Sequence, residues 1–271
     1  MIASRAAILA RGLGTRMRAE NPRAALPPDQ ARAADEGFKA LMPFGGRPFL
    51  DYILSVVADA GVQQVALVVP PAHEPLRAHY EGAGRPSRLV VDFVVQAEPD
   101  GTADAVLAAE RWTRGEPFLA LNGDNLYPVE AVRALTSLGD PGLAAFPRDA
   151  LVRSGNFAPE RIRAFATVDV TPDAWLAGIR EKPTGERLST GSAPALVSMN
   201  CWRFDSRIFD ACRDIGRSSR GELELPAAVT LALERGVRFR VLTAFAGVLD
   251  LSARGDVAEV ARRLAGTIPR P

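Results

Sequence analysis

Two basic residues have a type that could do chemistry which the other basic residues of the chain cannot. Lys39 and Lys182 are the only lysines in the chain, and every other basic residue is arginine. An ammonium is a compact charge on a flexible stem, which a planar guanidinium does not mimic, although two lysines could also survive by chance.

A glycine-rich loop follows the first apolar run. In Gly12-Leu-Gly-Thr-Arg16, backbone N–H groups could approach an anion, and the arginine could clamp phosphate oxygens. A Rossmann fingerprint requires a third glycine where Met17 stands, and a P-loop requires Gly-Lys-Ser/Thr, which is absent. Taken alone, the loop indicates either an anion site or a tight turn between a strand and a helix.

Strand and helix patterns alternate around these residues. Apolar runs predict strands at 5–9, 65–69, 89–95, 118–121, 195–204 and 238–243. Helical periodicity and caps predict helices at 48–60, 102–112, 129–138, 205–215, 222–235 and 256–264, with Thr102 as a cap. This alternation is typical of an α/β, Rossmann-like three-layer α/β/α fold with a mostly parallel sheet.

The loops at Gly12 and Asp124 both follow predicted strands. Ligands of such sheets bind beyond the carboxyl ends of the strands, so the two loops are expected at one site. Beyond residue 141 the strands become shorter and prolines more frequent. We expect a single domain over 1–271, with one half at about 1–140 and a second at about 141–271.

Composition restricts the partners. A net charge of +1 without a polybasic block argues against nucleic acid. No apolar segment approaches membrane-spanning length, and no leader pattern opens the chain, which predicts a cytoplasmic protein without a membrane partner. Cys201 and Cys212 lack metal-ligand spacing and are interpreted as buried thiols. His73 and His79 have no nucleophile nearby in the sequence and are interpreted as surface residues.

Six segments, taken in order, resemble the sugar-phosphate nucleotidyltransferase family. They are Ala7-Ile-Leu-Ala-Arg-Gly-Leu-Gly-Thr-Arg-Met17, the Lys39–Ile53 segment, the Gln96–Ala105 turn, Leu121-Asn-Gly-Asp-Asn125, Glu181-Lys-Pro183 and Val248-Leu-Asp250. The resemblance extends from residue 5 to about 260. It implies transfer of a nucleoside monophosphate from a nucleoside triphosphate to a sugar 1-phosphate, with Mg2+ as cofactor and pyrophosphate as product.

The resemblance also implies residue roles. Arg16 and the loop residues Ala10, Gly12, Leu13, Gly14 and Thr15 would hold the nucleotide's phosphates, and Lys39 the reacting phosphates. Lys182 would hold the phosphate of the sugar 1-phosphate, Glu181 and Asn200 the sugar, and Asp124 and Asp250 the metal.

The turn from Gln96 to Thr102 corresponds to the family's base-reading turn. A glutamine offers a donor and an acceptor, which a uracil or thymine edge requires, so dTTP or UTP is favoured. Gly101 would let the backbone approach the base. The alternative, that Gln96 is only a polar residue at a strand end, stays open.

The chain departs from the family in three places. Arg11 stands where a small residue is common, and Phe165-Ala166 replaces an aromatic-glycine pair. The step from Arg16 to Lys39 is long, and its extra stretch, Ala19 to Gly37, could be a lid or a surface loop. A non-catalytic regulatory homologue, a transferase acting on a polyol phosphate or phosphocholine, and a homo-oligomer all stay open.

Overall fold

Thirteen strands and twelve α-helices lie in the part of the chain that the computed structural model describes, which is residues 3–12, 14–19, 21, 24–180 and 195–271. The strands are β1 (Arg5–Leu9), β2 (Pro43–Phe44), β3 (Arg47–Pro48), β4 (Gln64–Val69), β5 (Val90–Val95), β6 (Phe118–Asn122), β7 (Asn125–Leu126), β8 (Gly142–Pro147), β9 (Thr167–Val170), β10 (Leu176–Arg180), β11 (Leu196–Phe204), β12 (Arg240–Thr243) and β13 (Leu249–Asp250). The helices are α1 (Thr15–Arg18), α2 (Pro28–Glu36), α3 (Phe49–Asp59), α4 (Glu74–Glu81), α5 (Thr102–Ala108), α6 (Glu110–Thr113), α7 (Val129–Thr136), α8 (Arg148–Ser154), α9 (Pro159–Ile162), α10 (Arg207–Asp214), α11 (Leu225–Glu234) and α12 (Val257–Leu264). Two 3-10 turns span Lys39–Leu41 and Arg254–Asp256.

A mixed sheet joins both halves of the chain. Its order is β10-β9-β11-β6-β1-β4-β5, and β8 pairs with β11 and β12. The pairs β1–β4, β1–β6, β4–β5 and β8–β12 are parallel, whereas β11 runs antiparallel to β6, β8 and β9. β10 also runs antiparallel to β9, but more residues pair in parallel than in antiparallel ladders, which confirms the predicted, mostly parallel sheet. β11 is the strand that couples the two halves.

Helices cover both faces of this sheet, since alternate strand residues point to opposite sides. Ile8 of β1 joins a core cluster with α3, α7 and α12, and its neighbour Ala7 joins a second cluster with α5, α10 and α11. Trp202 and Phe204 stack in the second cluster with their ring centroids 5.4 Å apart. The three-layer α/β/α fold predicted from the sequence is confirmed.

Strand β5 shows where an apolar run does not mean full burial. Its outer edge is unpaired within the described sheet, and Val90 and Val95 are 58% and 47% exposed. The predicted three-layer fold implies that helices cover both faces of each apolar strand. For β5 this is wrong, because the strand lies at the edge of the sheet.

The predicted helix 102–112 is divided at Ala109 into α5 and α6. Thr102 is its first helical residue and does not cap it, because Gly101 occupies the N-cap position. The Thr102 hydroxyl instead accepts a hydrogen bond from the backbone N–H of Leu225, 3.0 Å away. The predicted cap is wrong, since a contact with α11 takes the hydroxyl that would have bonded within the helix.

The interpretation of both histidines as surface residues is wrong for His73. Its side chain is buried, its Nδ1 lies 2.8 Å from the carbonyl oxygen of Pro70, and its ring stacks on Phe93. His79 is half-buried beside Tyr80. His73 is buried because its ring packs on Phe93, a residue of β5. No pattern in the sequence around His73 indicates this contact. Cys201 and Cys212 are buried, as predicted.

The extra stretch before Lys39 contains a packed helix. In α2, Ala33 and Ala34 are buried, and the side-chain amide of Gln30 donates to the carbonyl of Pro43 at 2.8 Å. Arg254 forms an ion pair with Asp35 on the same helix. The described part of the stretch is thus attached to the core. No helix among the described residues is long and apolar enough to cross a membrane.

Candidate functional site

Two neighbouring strands deliver the first site residues to one edge of the sheet. Leu9 of β1 and Asn122 of β6 are partners in a parallel ladder, so the two strands end at the same level of the sheet. The N–H of Gly123 then donates to the carbonyl of Leu9 at 2.9 Å, where a side chain at Gly123 would collide. Asp124 is thereby held directly beside the glycine loop, as the strand ends predicted.

Lys39 reaches Asp124 from the 3-10 turn that follows α2. Its Nζ lies 2.5 Å from Oδ2 of Asp124, and the two side chains are 14% and 23% exposed. Nζ also lies 3.7 Å from the point where a Cβ on Gly12 would stand. The lysine and the aspartate therefore form a mostly buried ion pair that adjoins the glycine loop.

Asp250 arrives from the far end of the chain. The short strands β13 and β7 pair Asp250 with Asn125, which places it next to Asp124. Its Oδ1 accepts from the Asn125 amide and the Ser252 hydroxyl, each at 2.9 Å. Its Oδ2 accepts from the backbone N–H of Ser252 and from the guanidinium of Arg161. Both predicted metal ligands are therefore brought together.

The two carboxylates differ in their electrostatic setting. Burial opposes ionisation of Asp124, but the ammonium of Lys39 outweighs it and lowers the pKa of this carboxyl. Burial and the adjacent Asp124 raise the pKa of Asp250 to about 6, although Arg161 opposes the rise. One carboxylate is thus neutralised by a lysine, and the other depends on an arginine.

The donor set suits a hard divalent cation. Mg2+ binds through one or two carboxylates and completes its shell with water and phosphate oxygens, so a third acidic ligand is not required. Side-chain donors among the described residues reach Oδ2 of Asp124, namely Lys39 and, at 3.4 Å, Ser252. Oδ1 of Asp124 is left for a cation, and Asp250 could offer an oxygen where Arg161 releases it.

The glycine loop is tightly packed on the segment that precedes Lys39. Gly14 has φ +66°, and a Cβ there would lie 2.8 Å from the carbonyl oxygen of Gly37. Arg18 strengthens this contact by donating to the carbonyl of Glu36 at 2.9 Å. Gly14 is therefore required by the fold, whether or not the loop holds phosphates. Of the predicted loop residues, Leu13 lies outside the described residues.

A polar cavity of about 540 Å³ joins the predicted residues of the two halves. Its lining includes Arg16, Thr102, Asp124, Asn200 and Asp250. Arg16 is exposed on α1, and its charge helps to lower the pKa of Asp124. Arg16, Asn200 and the two predicted metal ligands thus face one space, whereas Ala10, Gly12 and Lys39 line a second cavity that also includes Asp124.

Asn200 enters this cavity at a bulge in β11. Its φ of +53° is in the left-handed region, and the pairing of β11 with β8 shifts register between Ser198 and Trp202. A bulge turns a side chain away from the regular alternation of a strand. The bulge lies at the residue that was predicted to face the sugar.

Lys182 and Glu181 lie outside the described residues, so their predicted roles stay predictions. The division into a nucleotide half and a sugar-phosphate half also stays a prediction.

The predicted loop residue Ala10 lies at the edge of the sheet, where its backbone N–H donates to the carbonyl of Val68 at 2.8 Å.

The Gln96 turn is also assembled by contacts within the protein. Gln96 is 3% exposed, and its Nε2 donates to the carbonyl of Gly101 at 3.1 Å and to Oδ2 of Asp104 at 2.7 Å. Gly101 has φ +114°, and a Cβ there would lie 2.5 Å from the carbonyl oxygen of Leu223. The glycine is thus needed for backbone packing, independently of any base.

Several residues of the site were missed by the sequence interpretation. Arg161 and Asn125 contact Asp250, and the Tyr127 hydroxyl donates to the carbonyl of Met199 at 2.6 Å beside the bulge. Asn125 and Tyr127 could have been found, because Asn125 ends the Leu121–Asn125 segment that carries Asp124 and Tyr127 lies two residues further on. Arg161 could not, because it stands on the four-residue helix α9 in a segment without a motif.

The chain is similar in sequence to proteins of a known family. The family model described as "Nucleotidyl transferase" matches residues 34–245. Glucose-1-phosphate thymidylyltransferase of Streptomyces antibioticus is 29% identical over 259 residues, which is 95% of this chain and 65% of that protein. The bifunctional protein GlmU of Methanococcus vannielii is 25% identical over 196 residues, 72% of this chain and 42% of that protein. The chain thus spans less than two thirds of the length of these relatives.

Solved structures share the fold. A UDP-glucose pyrophosphorylase complexed with UDP-glucose superposes with a TM-score of 0.75 at 17% identity, covering 99% of this chain and 100% of that one. A putative glucose-1-phosphate thymidylyltransferase from Bacillus anthracis gives 0.71 at 18% identity, covering 97% and 96%. The likeness covers both halves of the sheet.

Proposed function

The chain belongs to the nucleotidyl transferase family, and from this premise we propose that it joins a nucleoside monophosphate to a sugar 1-phosphate. The donor is a nucleoside triphosphate, with dTTP or UTP favoured, and the products are a nucleoside diphosphate sugar and pyrophosphate. Relatives named as glucose-1-phosphate thymidylyltransferases support this activity.

The reaction makes one phosphorus–oxygen bond and breaks another. An oxygen of the sugar 1-phosphate attacks the α-phosphorus, and the bond from that phosphorus to the bridging oxygen of the β-phosphate breaks. No side chain has to become a nucleophile. Catalysis of such a step consists of holding two polyanions in line and offsetting their charge.

Positive groups from separate segments support the charge-offsetting role. Lys39 lies beside Gly12 and Asp124, where the α-phosphate would stand if the loop holds the triphosphate. Arg16 faces the shared cavity and would hold the β- and γ-phosphates. Lys182 is proposed for the phosphate of the sugar, with Glu181 and Asn200 for its hydroxyls.

We propose that Asp124 and Asp250 hold Mg2+. When bound, this ion would orient the α-phosphate and stabilise the charge that develops on its oxygens. Asp124 also orients the ammonium of Lys39 through their 2.5 Å contact. Arg161 pairs with Oδ2 of Asp250 and would have to share or release this oxygen when the ion binds.

The single observation that carries the proposal is the convergence of distant residues on one sheet edge. Lys39 contacts Asp124, and Asp250 is paired with its neighbour Asn125, although the three charged residues are far apart in the sequence. A fold alone does not require two carboxylates and a lysine to meet at one edge of a sheet, because burying charges costs free energy.

The test is pyrophosphate release from a matrix of substrates. Five nucleoside triphosphates are combined with common sugar 1-phosphates, polyol phosphates and phosphocholine, with Mg2+ or with a chelator. Release that needs a triphosphate, a sugar 1-phosphate and Mg2+ together supports the proposal. Release only with a polyol phosphate or phosphocholine contradicts the acceptor. No release from any pair, with tight binding of nucleotide sugars, favours a regulatory protein.

A further inference from the structure

Arg11 connects the glycine loop to the Gln96 turn. Its Nε donates to the backbone carbonyl of Gln96 and its Nη2 to that of Ala97, both at 2.8 Å. The residue is half-buried. This pair of bonds fixes the guanidinium plane across the gap between the two loops.

The guanidinium keeps donors to spare. An arginine carries five N–H groups, and Arg11 uses one on Nε and one on Nη2 for the two carbonyls. Its Nη1 makes no hydrogen bond to any described residue. A fixed, partly exposed donor at a site edge is a pre-organised contact for an acceptor on a ligand.

A cavity of about 300 Å³ adjoins this guanidinium. Its lining includes Arg11, Lys39 and Asp124, together with the apolar side chains of Leu9, Pro70 and Leu76. Arg18 and Glu36 also line it, so the cavity offers apolar surface and charged groups together, which suits a partly polar ligand. The cavity lies directly beside the groups proposed to act on the α-phosphate.

Gln96 cannot supply the donor that a base carbonyl would need. Both of its amide hydrogens face acceptors, the carbonyl oxygen of Gly101 and the carboxylate of Asp104. Because both partners only accept, the amide nitrogen must point towards them. Oε1 accepts no hydrogen bond from any described residue, so the side chain offers a ligand an acceptor alone.

We propose that Arg11 determines the choice of nucleobase, an inference that rests on the proposed function. Its guanidinium donates to a carbonyl oxygen next to N3 of the base, and Oε1 of Gln96 accepts the N3–H. Uracil and thymine match this pattern. Cytosine does not, because it presents an amino group in place of O4 and a lone pair at N3.

The test compares equilibrium binding of UTP and CTP, without sugar 1-phosphate, to wild type and to Arg11→Ala. The wild type should prefer UTP. Arg11→Ala should reduce the UTP-to-CTP affinity ratio by about tenfold to a hundredfold, the contribution of a hydrogen bond from a charged donor. Arg11→Lys keeps the charge without the planar fork and should lose part of the ratio.

Arg217→Ala is the matched control. Arg217 holds the same turn from outside, donating to both carboxylate oxygens of Asp100 at 3.0 and 2.7 Å. The control should keep the UTP-to-CTP ratio. An equal loss in the control, an equal weakening of both nucleotides in Arg11→Ala, or a wild type without preference would each overturn the role of Arg11.

The same experiment separates this inference from the proposed function. The UTP-to-CTP affinity ratio is measured without turnover, so it can be obtained even if the wild type releases no pyrophosphate with any acceptor. In that case the transferase proposal fails, and the affinity ratio alone decides whether Arg11 selects the base.

Discussion

Replacing Arg161 by methionine should destabilise the protein through one buried carboxylate. The change keeps much of the apolar stem and removes the guanidinium, which bridges Asp250 and, at 3.0 Å, Asp256. Asp250 is then left beside Asp124 without a cation. The Arg161 and Asp250 side chains are 23% and 7% exposed.

The magnitude follows from that burial. Removing one partner of a fully buried pair costs about 3–5 kcal/mol, and the partial exposure of Arg161 lowers our expectation to about 2–4 kcal/mol. For a chain of this size, the melting temperature should fall by about 5–12 °C. The assay is thermal and urea unfolding in the presence of a chelator, so that no divalent cation replaces the guanidinium.

A double-mutant cycle identifies the cause. In an Asp250→Asn background the same substitution should cost about 1–2 kcal/mol less than in the wild type, because only Asp256 then loses its ion pair with the guanidinium. Arg153→Met, which removes an exposed arginine from α8, should leave the transition nearly unchanged. Equal costs of Arg161→Met in both backgrounds, or no cost in the wild type, would show that the ion pair with Asp250 does not stabilise the fold.

Two further predictions concern packing and thiol chemistry. Gly14→Ala should cost about 1 kcal/mol or more beyond Gly46→Ala in urea unfolding, because both have positive φ but only Gly14 faces a carbonyl oxygen at 2.8 Å; equal costs would contradict that contact. Burial raises the pKa of Cys212 to about 12 and also raises that of Cys201, so at pH 8 both should stay protonated and unreactive towards a thiol reagent. Both should react in denaturant, and fast labelling of the native protein would contradict their burial.

The regular elements were predictable because each depends on its own residues. Continuous apolar runs gave β1 and β4, and a helical period between Pro48 and Gly61 gave α3. The strand ends then placed Asp124 beside the glycine loop without further information. Where a strand is buried on both faces, its apolar run was enough to predict that it lies inside the sheet.

Contacts between loops could not be predicted in this way. Arg11 bonds to carbonyls at positions 96 and 97, and Arg161 to Asp250, pairs that no periodicity relates. Gly101 resembled a base-contacting residue, but its backbone freedom also serves packing against Leu223. A glycine in a loop indicates a close backbone approach, and an arginine indicates a charge that needs a partner. The sequence does not show which residue each of them contacts.

Asp124→Asn tests whether the Asp124–Asp250 site carries out metal-assisted nucleotidyl transfer. The wild type and the variant are compared for nucleoside diphosphate sugar formed with Mg2+, under substrate conditions that give turnover in the wild type. Asparagine keeps the shape of the side chain and removes its charge, so kcat/KM should fall by about a hundredfold or more in a folded protein. Turnover equal to that of the wild type would contradict a metal site at Asp124.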